Sequence, residues 1–180
     1  MRAFVAVEIS NEKVLNSIVK LQSDLQIKAK PISKENMHFT LLFLGEISEE
    51  MAQKVMESLN TVSFNPIEVN FVEVGAFPNP RSPRVVWLGV DKTAAKSLVE
   101  LATQVEEKLG PLGFKSDRPF KPHLTIFRIK NGITDISQEL NRFKSIEIGH
   151  AVISELKFKK SILTPTGPIY SDLQVVKAKQ

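Results

Sequence analysis

A pattern of strand, helix, histidine-bearing strand, helix and strand runs through this chain twice, which limits its possible folds more than any other feature. The first strands are expected at residues 2–9 and 84–91, and the histidine-bearing ones at about 37–44 and 122–129, an offset of 82 to 85 residues. Recurrence at one offset reads as an internal duplication. The histidine segments are near copies, His38-Phe39-Thr40-Leu41 and His123-Leu124-Thr125-Ile126, and hold two of the three histidines. Side chains two apart on a strand share a face. Each copy therefore sets an imidazole beside a hydroxyl.

The rest of the pattern supports an α+β fold. Ser10 is expected to cap a helix with Val14, Ile18, Leu21 and Leu25 as its apolar stripe. Ser48, followed by Glu49 and Glu50, starts a second helix that runs to about residue 59. A strand is expected at 67–74, then a loop over Gly75–Pro83, whose three prolines bar helix and central strand. A helix at 93–109 stops at Gly110-Pro111, and a short one follows at about 135–143. Strands at about 147–159 and 168–176 finish the chain. The expected architecture is one domain over residues 1–180, with lobes of approximately 1–83 and 84–180 related by a pseudo-twofold axis. Antiparallel sheets would line a central cleft, with helices outside, and the two histidines would face each other across it.

Composition removes several classes of function. The chain has 180 residues, 42% of them hydrophobic, enough for a substantial core. No run approaches the roughly 18 apolar residues of a membrane span, and the short apolar start ends at Glu8 without a cleavage site. No membrane association, a cytoplasmic location and a monomeric state are expected. The absence of cysteine excludes disulfides, thiolate nucleophiles and cysteine zinc sites. The net charge of +4 permits an anionic partner. Arg81 and Arg84 flank the proline loop. Lys115, Arg118 and Lys121 precede the second motif, and Arg128 and Lys130 follow it. Lys157, Lys159 and Lys160 read by default as solvated surface.

Two imidazoles facing one phosphate can act as general base and general acid, each contributing typically ~10²–10⁴-fold. Thr40 and Thr125 can donate hydrogen bonds to the non-bridging oxygens. Arg128 can add a fixed charge, although five residues beyond His123 it falls on the opposite face of a regular strand. It reaches the site only if the strand twists or ends before it. The scheme needs no metal and no cofactor, and neither motif contains a carboxylate that would suggest a metal. His150 reads as a structural or surface histidine, Trp87 as core and Tyr170 as a packing residue at a strand start. Phe77 is a candidate to stack on a base.

The two motifs resemble the signature of the 2H phosphoesterase superfamily. The wider chain resembles the RNA 2′,3′-cyclic phosphodiesterases, also called 2′-5′ RNA ligases. Matching stretches include residues 1–7, 36–45, 75–78, 84–87, 119–128 and 167–170. The resemblance implies a bilobed α+β fold and metal-independent opening of 2′,3′-cyclic phosphates at RNA ends, or of cyclic nucleotides, to 2′-phosphomonoesters. It also implies a reverse joining reaction in some members. By the same resemblance His38 is the proton donor, His123 the proton acceptor, and Thr40 and Thr125 hold the phosphate. Arg128 matches an arginine usual after the second motif. Phe77, Arg81 and Lys121 are further expected substrate contacts. Phe127 stands where a small residue is common and is expected to crowd the base or ribose. The competing class is a non-catalytic RNA- or nucleotide-binding module on the same fold.

Overall fold

Two antiparallel sheets of four strands carry this computed structural model, which describes residues 1–130, 132, 135–146 and 148–180. Along the chain the elements are β1 (Arg2–Glu8), α1 (Glu12–Asp24), β2 (His38–Glu46), α2 (Glu49–Leu59), β3 (Ile67–Phe77) and β4 (Val85–Val90). They continue with α3 (Lys92–Leu109), β5 (Leu124–Arg128), α4 (Ser137–Arg142), β6 (His150–Ile153), β7 (Glu155–Thr164) and β8 (Gly167–Lys177). The first sheet runs β2-β1-β7-β8 and the second β5-β4-β3-β6. The result is a two-lobed α+β fold in which each histidine motif belongs to an outer strand of a different sheet.

The strands do not sort by sequence half. β3 lies in the second sheet with β4, β5 and β6, while β7 and β8 return to the first. The expected strand over 147–159 is two strands that part at Ser154 and join different sheets, and residue 147 lies outside the described residues. An apolar alternating run looks the same whether it serves one sheet or two, because pairing partners are distant in sequence. β3 also runs further than expected, through Gly75 and Ala76 to Phe77, paired to β4 across that stretch.

Local chemistry accounts for the helix starts. Asn11, rather than Ser10, caps α1 by accepting from Val14 N at 3.2 Å. Ser48 caps α2 by accepting from Met51 N at 3.1 Å, with Glu49 and Glu50 in the first turn. The apolar stripes of α1, α2 and α3 and the inner faces of both sheets form one continuous core. Phe39 of β2 stacks parallel to Phe71 of β3 at 6.1 Å, joining the two sheets. Each such wholly buried side chain contributes roughly 1.5–3 kcal/mol through removal from water. Alternation along β2 sends Phe39 inward and turns His38 and Thr40 the other way. Among the described residues no helix is long and apolar enough to cross a membrane.

Candidate active site

His38, Thr40, His123, Thr125 and Arg128 all line one cleft of about 1580 Å³. Phe77 and Lys121 line it too, whereas Arg81 does not. Arg81 sits in the proline loop, its backbone N donating to Asn79 Oδ1 at 3.0 Å. Lys30, Arg84, Lys115, Arg118 and Lys130 add positive charge around the cleft.

The two histidines are held alike. His38 Nδ1 lies 2.8 Å from the carbonyl oxygen of Asn36, and His123 Nδ1 lies 2.6 Å from that of Lys121. A carbonyl can only accept, so Nδ1 carries the proton in both rings. Nε2 is left as the nitrogen that can take or give one. Each ring also meets an aromatic edge. Tyr170 crosses His38 at 86° and 5.3 Å, and Phe77 crosses His123 at 81° and 5.1 Å. Phe4 backs both His38 and Tyr170, and Trp87 backs Phe77 at 5.0 Å. Tyr170 is therefore part of the site, not the packing residue expected from the sequence. The only sequence signal for it was the resemblance over residues 167–170.

Arg128 reaches the cleft by means of a bulge. In the β4–β5 pairing Phe127 faces Val86 and Thr125 faces Trp87, which leaves Ile126 without a partner. One inserted residue resets the alternation. Ile126 and Phe127 are consequently both buried, and Arg128 returns to the Thr125 face. β2 behaves the same way: Leu42 faces Val5 and Thr40 faces Ala6, leaving Leu41 unpaired. Leu41 and Leu42 are buried and Phe43 emerges 63% exposed into the cleft, at the place equivalent to Arg128. The bulge also corrects the expectation for Phe127. At 2% exposure in the core, its ring cannot crowd a base or ribose.

Burial is the main cause that lowers the His38 pKa from 6.5 to about 4, with the Asn36 hydrogen bond and the Glu8 carboxylate pulling the other way. Burial also lowers that of His123, against the Lys121 hydrogen bond. The Arg128 guanidinium pushes both down and so acts on both rings. Both imidazoles are neutral at pH 7, able to accept a proton at Nε2. Burial raises the Tyr170 hydroxyl, which stays protonated as a hydrogen-bond donor.

Comparison with known proteins agrees with this architecture. The model of the LigT-like phosphoesterase family matches the chain twice, over residues 7–87 and 88–170. The RNA 2′,3′-cyclic phosphodiesterase of Archaeoglobus fulgidus is 44% identical over 178 residues, covering 97% of this chain and 99% of that protein. The protein of that name from Methanocaldococcus jannaschii is 38% identical over 174 residues, covering 94% and 96%. The crystal structure of TT0787 of Thermus thermophilus superposes with a TM-score of 0.81 at 26% identity, covering 98% of this chain and 97% of that one. The chain belongs to the LigT-like phosphoesterase family.

Proposed function

We propose that the cleft hydrolyses 2′,3′-cyclic phosphodiester ends of RNA to 2′-phosphomonoesters by paired-histidine acid–base catalysis. The observation that carries this reading is the matched pinning of His38 and His123, each with Nδ1–H tied to a backbone carbonyl and both rings on one cleft. The relatives named RNA 2′,3′-cyclic phosphodiesterase supply the substrate class.

In this scheme neutral His123 takes a proton from water at Nε2 as the water oxygen attacks phosphorus. The bond from phosphorus to the 3′ oxygen breaks, and protonated His38 gives its proton to that oxygen. The products are a 2′-phosphomonoester and a free 3′ hydroxyl. The anionic diester favours protonation of the ring that must donate. Thr40 and Thr125 donate to the non-bridging oxygens, and Arg128, returned to the cleft by its bulge, balances the charge that builds on them. Phe77, Lys121 and Tyr170 border the remainder of the substrate. With a ribose 5′ hydroxyl in place of water as the attacking group, the same residues would join two ends through a 2′-5′ linkage and free the 3′ hydroxyl.

The test is product analysis on a defined oligonucleotide ending in a 2′,3′-cyclic phosphate, followed by phosphorus NMR. A 2′-monoester is expected. A 3′-monoester would reverse the assignment of the leaving oxygen. Binding without any new monoester would support the non-catalytic module instead.

A further inference from the structure

Four charged side chains cluster on the first sheet behind His38. Lys159, expected as solvated surface, is only 5% exposed. Its Nζ donates to Glu8 Oε1 and, at 2.6 Å, to Asp172 Oδ1. Lys157 Nζ donates to Glu8 Oε2 at 2.9 Å and pairs with Asp172 Oδ2 at 3.2 Å. Each cation thus touches both carboxylates. Stability is a weak reason for such an array, since apolar replacements of buried ion pairs are often neutral or stabilising.

The placement of the quartet suggests another reason. Glu8 is the cross-strand partner of His38, so the two side chains leave one face side by side. Phe4, which backs the His38 ring, is the β1 partner of Lys159. Tyr170, edge-on to His38, lies two residues before Asp172 on the same face of β8. The strands that build the quartet also build the walls around this imidazole. Among the described residues, the His123 proton is governed by burial, the Lys121 carbonyl and Arg128, with no carboxylate among them.

We infer that Glu8 and Lys159 are positioning residues for His38: the quartet holds a carboxylate beside this imidazole and moderates it with a buried cation, so the two cleft histidines meet unequal fields. The charged and titratable groups around His38 are Glu8 from β1, Lys159 from β7, Tyr170 from β8 and Arg128 from β5, with His123 lining the same cleft. Glu8 favours the protonated ring, whereas Lys159 and Arg128 oppose it. With His38 as the proton donor, as proposed above, a bound phosphate and Glu8 would together favour its proton, while His123 would meet the phosphate alone.

The test is a histidine-selective NMR pH titration of the free protein, which does not depend on turnover. His150, half-exposed in the other sheet, is the internal reference. Lys159→Met should raise the His38 midpoint by roughly one unit and leave His123 and His150 in place. Lys157→Met should raise it less, Glu8→Gln should lower it, and Lys159→Arg should restore the wild-type value. If Lys159→Met does not fold, Lys157→Met decides by the same readout. An unmoved His38 midpoint in folded variants would overturn the inference even with turnover intact. A moved midpoint in a protein that opens no cyclic phosphate would sustain the electrostatic coupling and sink the catalytic reading.

Discussion

Gln22, buried on α1, donates from Nε2 to the carbonyl oxygen of Ile126 at 2.9 Å. Ile126 is the unpaired residue of the β5 bulge, and its carbonyl also accepts from Ile32 N at 2.9 Å. The side chain that braces the bulge therefore braces the placement of Arg128. Gln22→Leu should cost about 1–3 kcal/mol in stability, the usual cost of disrupting a buried hydrogen bond. It should also lower kcat/KM for a cyclic phosphate, because Arg128 loses its fixed position. Denaturant melts and steady-state kinetics on one preparation check both. Unchanged kinetics alongside reduced stability would mean that the Ile32 hydrogen bond holds the bulge alone.

Removal of Arg128 itself gives the reference value. Arg128→Ala should lower kcat by about 10²-fold, as for other donors aimed at developing charge. His38→Ala and His123→Ala should each lower it by roughly 10²–10⁴-fold. In the proposed scheme the two groups act as one unit, so the double variant should be little worse than either single one. Near-wild-type turnover in either single histidine variant would end the acid–base scheme.

Trp87 lies flat over Gly75, its partner across the β3–β4 pair, and a β-carbon added there would fall well inside contact with the indole ring. Trp87 backs Phe77, and Phe77 meets His123 edge-on. Gly75→Ala should therefore push along this line to the imidazole. Overpacking of this kind costs typically ~1–3 kcal/mol, and a displacement near 1 Å at the chemistry can cost about 10²-fold in rate. A fall in kcat without a matching rise in KM is the expected result. A variant with wild-type kcat would show that the ring yields without moving His123.

Much of the site was legible because it is local. The His-x-Thr spacing places both side chains of each motif on one face from strand geometry alone, and Ser48 and Gly110-Pro111 mark helix ends by residue type. Arg128 reaches the cleft by neither a twist nor an early strand end, the two routes that its parity leaves open, but by a bulge. The adjacent apolar pairs Leu41-Leu42 and Ile126-Phe127 already broke the alternation and carried the bulge signal. The burial of Lys159 was not legible, because it depends on β7 lying between β1 and β8, a pairing between distant segments. The place of Tyr170 in the site is not legible for the same reason: its contact with His38 spans 132 residues of chain.

The pH dependence of turnover should separate the free enzyme from the complex. Burial holds His38 at about 4 and His123 below its ordinary 6.5 in the free protein. The profile of kcat/KM, which reports the free enzyme, should accordingly lie to the acid side of ordinary histidine. An anionic diester in the cleft raises both values, so the limbs of the kcat profile should lie at higher pH than those of kcat/KM. They belong to the coupled pair rather than to either ring. Coincident profiles would show that the phosphate does not approach the imidazoles.

Stability should follow pH in the same direction. His38 has a lower pKa folded, about 4, than unfolded, 6.5, so the unfolded chain binds more protons between these values. The folded state then loses stability as pH falls. The contribution is fully present above about pH 6.5 and gone near pH 4, where the native ring also protonates. Its size is on the order of 3 kcal/mol from the shift. His38→Gln, uncharged throughout, should flatten the fall in Tm between pH 7 and pH 5 relative to the wild type, measured by thermal unfolding at fixed ionic strength. An equally steep fall in the variant would assign the acid sensitivity to other groups and refute burial of a neutral imidazole at this position.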